Sequence, residues 1–275
     1  MHSAPGCGEC VRCDFVTSDR SRPAIVTAEL SPEERERYQR QLGPGVLSPE
    51  GQLRLKNSTA LVTRVGGMGG PAALMLTMAG VGRVIIAHGG ELISPDLNRQ
   101  LLGSEATLGQ ARAETFGDRL RSMNRFVQIE AWDHEPDDDE TLSLARRSGI
   151  LLSCPPTFAE RLRLNRAAVL AGVPLIDAAQ WGLSGTLIVV QPGQTACLAC
   201  VYPEPPPFEE LFPVVGAVSC AIGSLAALEA IKILSGTGQP MWGQLFTYDG
   251  FRGRTASVQL TRNPRCPCCG GGSSA

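Results

Sequence analysis

The sequence predicts an α/β fold: a doubly wound, Rossmann-like and mainly parallel sheet, followed by a β-rich C-terminal segment that zinc holds in place. Three observations lead to this prediction. Helical segments alternate with short apolar strands over residues 59–190, which is typical of parallel sheets covered by helices. The first strand ends in a glycine-rich turn at residues 66–70. Two Cys-x-x-Cys pairs lie further on, at residues 197–200 and 266–269.

The composition fits one globular domain with a large core. The chain has 275 residues, of which 43% are hydrophobic and 19% charged, and its formal net charge is −2. A chain of this length buries roughly three quarters of its unfolded surface. The near-neutral charge gives no basic field for nucleic acid, and no apolar run approaches the roughly 20 residues of a membrane span. The start has no apolar signal-peptide core, so we expect a cytoplasmic protein whose partners include neither nucleic acid nor membrane.

We expect three regions: a flexible, cysteine-containing tail over residues 1–29, one domain over residues 30–270 and a disordered tail over residues 271–275. The first tail contains Cys7, Cys10 and Cys13, a spacing that resembles the opening of an iron–sulfur or zinc site. His2 would complete a mononuclear site. Because no other ligand is near, free thiols in a flexible tail are the favoured interpretation.

The domain begins with two predicted helices. Ser31 and Glu34 form the pattern of a capping box, and Pro32 occupies the first helical position, so a helix should start here and run to Gly43. A short helix is expected near residues 49–56.

A βαβ unit with a glycine-rich turn follows. The β-branched, apolar residues 59–65 predict a buried strand, and the turn after it contains Gly66, Gly67 and Gly69. A helix opened by Pro71 ends before Gly80, and residues 83–87 form the next strand. Such glycines let the backbone approach a phosphate group, which then meets the N–H groups at the start of the helix.

This turn departs from the complete dinucleotide-binding pattern at two positions. Arg64 stands where the first glycine is expected, and His88 stands where an acidic residue would accept hydrogen bonds from a ribose. The nearest acid, Glu91, comes three residues later.

The alternation of elements continues to the end of the domain. Helices are expected at residues 108–123, 137–147, 158–171 and 217–234, and strands at residues 128–132, 149–154, 175–179 and 186–190. Residues 243–249 and 255–260 resemble a β-hairpin. The proline-rich loop at residues 202–213 is either a crossover or substrate lid, or an ordinary surface loop.

The four cysteines Cys197, Cys200, Cys266 and Cys269 predict one structural zinc site. Tetrahedral zinc needs four soft donors, and two separated Cys-x-x-Cys pairs supply them with no open coordination position. Two disulfides or unrelated thiols are the alternative, disfavoured because nothing else in the chain indicates secretion.

Short motifs also occur through the chain in a particular order. They are RYQRQ at 37–41, AGVG at 79–82, DLNRQ at 96–100, LGQAR at 108–112, IGSL at 222–225, EAIK at 229–232 and RNP at 262–264. In this order, together with the glycine turn and the last cysteine pair, they resemble the ThiF/MoeB/HesA family of adenylating enzymes related to ubiquitin activators. The resemblance covers about residues 30–270, which would form a single adenylation domain that includes the zinc site.

The resemblance implies that the C-terminal carboxylate of a small ubiquitin-like protein or peptide attacks the α-phosphate of ATP, and that the acyl-adenylate then passes to sulfur or another nucleophile. Such chemistry depends on positioning and positive charge. By resemblance, Arg99 and Arg112 flank the triphosphate, Asn98 and Gln100 position it, and Arg40 reaches across the interface of a homodimer or of a heterodimer with a homologue.

Several positions differ from the family. Pro156 stands where an acid helps to hold magnesium, and proline cannot ligate a metal through its side chain. Arg112 stands where the family usually has lysine, and the two differ in shape and hydrogen bonding. With Arg64 and His88 also altered, the sequence predicts weak or absent binding of Mg-ATP.

Three functions fit the sequence. The first is a divergent adenylyltransferase that activates a peptide or carrier-protein carboxylate. The second is a catalytically inactive pseudoenzyme subunit that completes the site of a partner. The third is a dinucleotide oxidoreductase, which fits the βαβ turn but explains neither the cysteine pairs nor the motif around Arg99. A thioester nucleophile is not expected, since Cys220 falls inside a predicted helix and buried thiols are inert.

Overall fold

A computed structural model of the chain describes residues 29–206 and 212–270. The expectations for Cys7, Cys10 and Cys13, for the tail at residues 271–275 and for part of the proline-rich loop, residues 207–211, fall outside the described residues.

The fold is built on one sheet of eight strands in the order β3-β2-β1-β4-β5-β6-β7-β8. The strands are β1 Thr59–Thr63, β2 Arg83–Ala87, β3 Gln128–Trp132, β4 Ile150–Ser153, β5 Leu175–Trp181, β6 Ser184–Val190, β7 Gln244–Asp249 and β8 Arg254–Gln259. Strands β3, β2, β1, β4 and β5 pair in parallel, whereas β6, β7 and β8 continue the sheet with antiparallel pairing. The predicted mainly parallel, Rossmann-like sheet is confirmed.

Eight α-helices accompany the sheet in the described residues. They are α1 Pro32–Tyr38, α2 Pro49–Lys56, α3 Gly69–Ala79, α4 Arg112–Met123, α5 Asp138–Arg146, α6 Phe158–Ala171, α7 Leu198–Val201 and α8 Gly216–Ser235. The predicted capping box is present at α1, where the Ser31 side chain accepts from the Glu34 N–H and Glu34 accepts in return from the Ser31 N–H.

Two helices are shorter than the sequence predicts. Helix α1 ends at Tyr38 rather than near Gly43, because the chain turns at Gly45 (φ 77°) and Leu42 bridges to Leu47. Helix α4 begins at Arg112 rather than at residue 108, because the preceding segment is tied to a neighbouring loop through the bridge between Glu91 and Ala111.

The order of the strands places a crevice beside the end of β1. The chain passes from β1 to β2 on one side and places β4 on the other side, so the crossovers diverge at this point. In open α/β sheets, ligands bind at such a switch point, outside the carboxyl ends of the strands. The glycine turn between β1 and α3 lies there.

Helix α8 is the one helix of the described residues that is long and apolar enough to cross a membrane, with 20 residues and a mean hydropathy of 1.7. By that measure, the expectation that no apolar run approaches this length is wrong. The helix packs against α3 and strands β5 and β6, and Ile222, Ala226 and Ala230 are fully buried. Burial in the core therefore accounts for its composition, and near its end Glu229 pairs with Lys232.

Candidate functional site

The glycine turn is tightly built around the backbone of Arg64. Arg64 has a left-handed conformation (φ 55°), and the Gly66 N–H donates to its carbonyl oxygen at 2.6 Å. A Cβ atom on Gly69 would lie 2.5 Å from the same oxygen, so only glycine fits there. Helix α3 begins at Gly69 without a side-chain cap. The Gly70 N–H donates to the Gly66 carbonyl and Pro71 has no N–H, so the N–H groups without a backbone partner in this described segment are those of Gly67, Met68 and Gly69.

A cavity of about 430 Å³ opens beside this turn. Five of the predicted site residues line it: Gly66, Gly67, His88, Arg99 and Gln100. Gly69, Asn98, Arg112 and Arg40 do not. The glycine turn and the DLNRQ motif are in direct contact, since a Cβ atom on Gly67 would lie 3.1 Å from Cγ of Arg99.

His88 is buried against the cavity as a neutral ring. The residue is only 7% exposed. This burial, together with the positive charges of Arg112 and Arg64, lowers the pKa of His88 to about 4. The Nδ1 atom of His88 and the Oε1 atom of Gln100 have no hydrogen-bond partner among residues 29–206 and 212–270. Both side chains approach Gly66, where a Cβ atom would lie 3.3 Å from Cε1 of His88 and 3.4 Å from Nε2 of Gln100.

Asp96 is the buried centre of the DLNRQ motif. Its carboxylate accepts from Nη2 of Arg112 at 2.6 Å, from Nε2 of Gln100 at 2.6 Å and from Nη2 of Arg99 at 3.4 Å. Arg112 also donates to the Gly89 carbonyl, so its guanidinium is directed to the protein rather than to the cavity. A contact between Arg112 and a triphosphate stays a prediction.

Two other predicted residues also lie away from the cavity. The Asn98 side chain accepts from Nη1 of Arg99 at 2.9 Å and so orients that guanidinium. Arg40 is exposed just after α1 and forms no ion pair within the described part of the chain. Its reach across a dimer interface stays a prediction.

Arg64 pairs with two carboxylates of its own chain. Its Nε and Nη2 atoms donate to Glu160 at 2.9 and 2.6 Å, and its Nη1 atom lies 2.7 Å from Glu135. Glu135 also accepts from the Gly89 N–H. The guanidinium of Arg64, the residue that replaces the first glycine, is therefore held at the edge of the cavity. It lies between the loop after β3 and the first turn of α6.

One wall of the cavity was not predicted from the sequence. Arg161 from α6 lines it, and its Nη1 donates to Asp177 and to the Ala178 carbonyl, both at 2.8 Å. At the mouth, Trp181 and Phe212 stack with ring centroids 6.4 Å apart. Asp177 within an apolar strand was the available signal, since a carboxylate there needs a buried partner.

The cavity does not fit a magnesium site. Magnesium binds oxygen ligands and usually takes one or two carboxylates along with phosphates. Among the described residues that line the cavity there is no aspartate or glutamate, and Pro155 and Pro156 follow the end of β4. Ser153, the last residue of that strand, donates its hydroxyl to Asp177.

The four predicted zinc ligands converge at one place. Their Sγ atoms all lie within 4.8 Å of one another, with Cys197 3.7 Å from Cys266 and Cys200 3.4 Å from Cys269. With zinc–sulfur bonds of about 2.3 Å, tetrahedral sulfurs lie about 3.8 Å apart. The residues therefore fit a closed tetrahedral zinc site, which contradicts the alternative of unrelated thiols.

Asn165 supports this cluster from helix α6. Its side chain accepts from the Leu198 N–H at 2.9 Å and donates to Sγ of Cys268 at 3.2 Å. The remaining described thiols are shielded: burial raises the pKa of Cys154 to about 12 and also raises that of Cys220. Neither thiol has the lowered pKa of a nucleophile.

The sequence of this chain is similar to those of known proteins. The ThiF family model matches residues 38–268. The HesA protein of Leptolyngbya boryana is 43% identical over 88% of each chain. The sulfur carrier protein adenylyltransferase of Thermus thermophilus is 34% identical over 86% of this chain and 92% of its own.

A solved structure confirms the fold. Escherichia coli MccB, crystallised with AMPCPP and MccA, superposes with a TM-score of 0.72 at 22% identity, over 81% of this chain and 70% of MccB. At that identity the likeness concerns the fold alone. The family match and the relatives confirm the resemblance found in the sequence, and the chain belongs to the ThiF family.

Proposed function

We propose that this protein is an adenylyltransferase that activates the C-terminal carboxylate of a small ubiquitin-like carrier protein or peptide. Its relatives include a sulfur carrier protein adenylyltransferase and an enzyme named as both adenylyltransferase and sulfurtransferase, MOCS3 of Sus scrofa, at 36% identity over 90% of this chain. The observation that carries the proposal is the contact of Gly67 with Arg99, which joins the phosphate-binding turn to the family's arginine motif within one cavity.

The reaction needs little covalent help from the protein. A carboxylate oxygen of the substrate attacks the α-phosphorus of ATP, the bond to the bridging oxygen breaks, and pyrophosphate leaves while an acyl-adenylate forms. The attacking carboxylate is already ionised, so no general base is required. The protein has to align the two anions and stabilise the charge that moves onto pyrophosphate.

The described residues supply groups for both tasks. The N–H groups of Gly67, Met68 and Gly69, which have no backbone partner in the described chain, would receive phosphate oxygens. Arg99 lines the same cavity, and its guanidinium is held in place by Asp96 and Asn98. A preorganised cation of this kind needs no reorganisation when charge develops.

The mouth of the cavity fits the end of an extended peptide. Trp181 and Phe212 stack at its rim, and Gln180 lies beside them, where its side chain accepts from Ser219 and donates to the Val215 carbonyl. Aromatic side chains supply a large contact area at binding interfaces. A tail ending in small residues would therefore reach the turn at Gly67.

The four cysteines would hold zinc as a structural ion, which supplies a closed tetrahedral crosslink between the start of α7 and the C-terminal segment. The crosslink is connected to the cavity through Tyr202, which lies two residues after Cys200. The Tyr202 ring packs edge-on against Phe158 at 4.8 Å, and Phe158 lines the cavity. The cluster thus fixes one wall of the site without contributing to the reaction.

A second candidate is a non-catalytic subunit that completes the site of a homologous partner. The observation that favours it is the engagement of Arg112 with Asp96 and the Gly89 carbonyl, together with Pro156 at the expected magnesium position. In that case the exposed Arg40 would act in the partner's site, in a heterodimer. In the first case it would act across a homodimer.

ATP–pyrophosphate exchange separates the two candidates. Purified protein is assayed with sulfur carrier proteins ending in Gly-Gly, first alone and then mixed with a homologous adenylyltransferase. The first candidate requires carrier-dependent exchange by the protein alone that falls at least about tenfold in Arg99→Ala, a change equal to about 1.4 kcal/mol.

Arg83→Ala is the matched control, because this arginine begins β2, at the opposite end of the strand from the cavity, and in the described chain its side chain bonds to Gln128. No exchange by the protein alone, with exchange by the homologue raised by the wild type but not by Arg40→Ala, would favour the second candidate. Equal exchange in Arg99→Ala and Arg83→Ala would refute the role of Arg99.

A further inference from the structure

We propose that this site binds its nucleotide without a divalent cation, and that Arg64, Arg99 and Arg161 provide the positive charge that magnesium would otherwise supply. The inference rests on the proposed binding of ATP. It states that the cavity accepts ATP whose phosphates carry no bound metal ion.

The first observation is that the described charged side chains lining the cavity are all arginines. Arg64, Arg99 and Arg161 all line it, and the described lining residues include no aspartate or glutamate. Magnesium that arrives with a triphosphate normally gains one or two carboxylate ligands from the protein. Here it would bring two further positive charges next to three guanidinium groups and would gain no carboxylate from the described lining residues.

The second observation is that each arginine is held from outside the cavity. Arg64 pairs with Glu135 and Glu160 at 2.7 and 2.6 Å, and these two carboxylates border a smaller neighbouring space of about 20 Å³. Both already accept from Arg64, so a metal ion there would have to displace the guanidinium.

The other two arginines follow the same pattern. Arg99 is held by Asp96 at 3.4 Å, and Arg161 by Asp177 at 2.8 Å. Neither aspartate lines the cavity. The carboxylates therefore fix the arginines in place from outside the cavity that the arginines line.

Arg99 and Arg161 keep nitrogen donors for a ligand. A guanidinium has five N–H groups, and the Arg161 hydrogen bonds within the described chain both come from Nη1. The Arg99 hydrogen bonds come from Nη1 and Nη2, which leaves its Nε free. Charge-assisted hydrogen bonds from guanidinium groups to phosphate are short and strong, and they can be bidentate.

The third observation concerns clusters of metal-ligating side chains. The one cluster of three or more histidine, cysteine or acidic ligand atoms found there is the four-cysteine group. Thiolates select zinc and similar soft ions, whereas magnesium prefers oxygen. The end of β4, where the family's acid would lie, carries Pro155 and Pro156.

The test is isothermal titration calorimetry of the full-length protein with ATP, once with EDTA and once with excess magnesium chloride. The expected result is binding in EDTA at least as tight as in magnesium. Arg64→Gln should weaken binding in EDTA by about tenfold or more, the loss of one charge-assisted contact of about 1.4 kcal/mol.

Arg163→Gln is the matched control. This arginine is on the same helix as Arg161 and pairs with Asp138 at 2.9 Å, but it does not line the larger cavity, so binding should be unchanged. If Arg64→Gln fails to fold, Arg99→Gln provides the same comparison. Pro156→Asp supplies the missing carboxylate and should make binding at least about fivefold tighter in magnesium than in EDTA.

The outcomes separate this inference from the proposed function. ATP binding by the wild type only when magnesium is present would overturn the inference and leave the proposed adenylation intact. If ATP binds in neither buffer, both the inference and the proposed function are contradicted. Equal losses in Arg64→Gln and Arg163→Gln would show that the cavity arginines have no particular part in binding.

Discussion

Arg161 and Asp177 form an ion pair at 2.8 Å with side chains only 5% and 6% exposed. The pair joins helix α6 to strand β5, and the Ser153 hydroxyl donates to the same carboxylate oxygen at 2.7 Å. It therefore ties together the two parallel strands β4 and β5 and the helix between them, behind one wall of the cavity.

Removal of this carboxylate should destabilise the fold strongly. Asp177→Ala leaves the Arg161 cation buried without its partner, which typically costs about 3–5 kcal/mol of unfolding free energy. Urea unfolding followed by circular dichroism measures the change. Asp118→Ala is the control, because its pair with Arg121 is exposed and should be worth less than about 1 kcal/mol. Similar losses in the two variants would contradict the structural role of the buried pair.

The zinc site gives a second prediction. The protein should contain one zinc ion per chain, and Cys266→Ser should lose it, because serine replaces one of four converging sulfurs. Metal binding at such sites is coupled to folding, and a loss of several kcal/mol lowers Tm by about 10 °C for a domain of this size.

Metal analysis and thermal unfolding test this prediction. The control is Cys220→Ser, on helix α8 and outside the cluster, which should keep its zinc and unfold at nearly the wild-type temperature. A zinc-free wild type that is equally stable would show that the cysteines need no metal.

Local signals in the sequence were enough to predict most elements and the zinc ligands. Helix α6 spans the predicted residues because Thr157 caps its start and Gly172 ends it in the left-handed conformation (φ 67°). The cysteine pairs converge because each pair has the spacing of a zinc knuckle. The antiparallel pairing of β7 with β8 also follows from their predicted hairpin.

The parts that were missed depend on contacts between distant residues. The partners of Arg64, which are Glu135 and Glu160, and the stacking of Trp181 on Phe212 have no local signature. Periodicity predicts which face of an element is buried but not which residue lies opposite. For the same reason, the sequence showed that Arg64 replaces a glycine without showing where its guanidinium would go.

Gly223 in the IGSL motif tests the support of the glycine turn. A Cβ atom at this position would lie 2.2 Å from the Met68 carbonyl oxygen, so helix α8 packs directly on the backbone of the turn. Gly223→Ala should therefore push the two apart and destabilise the protein by about 1–3 kcal/mol, despite the better helix propensity of alanine.

Urea unfolding again provides the measurement. Gly43→Ala is the control, because a Cβ atom there would meet nothing within 4 Å, and its effect should stay within about 0.5 kcal/mol. A Gly223→Ala protein as stable as the wild type would mean that α8 can shift away from the turn at no cost.

His88 should make the stability of the protein depend on pH in a predictable direction. Burial, with smaller contributions from Arg112 and Arg64, lowers its pKa from 6.5 to about 4, although Glu135 acts in the opposite direction. Between these two values the unfolded chain binds a proton that the folded chain does not. Stability from this group is therefore complete above about pH 6.5 and is lost as the pH falls toward 4, by on the order of 3 kcal/mol.

The unfolding free energy of the wild type and of His88→Gln, measured from about pH 7 to about pH 4.5, isolates this contribution, because the other titrating groups are common to both proteins. The wild type should lose more stability than the variant as the pH falls. His134→Gln is the control: Asp133 and Glu140 raise the pKa of this exposed histidine, so its small effect has the opposite sign. Parallel curves for the wild type and His88→Gln would mean that His88 is as accessible to protons in the folded protein as in the unfolded chain.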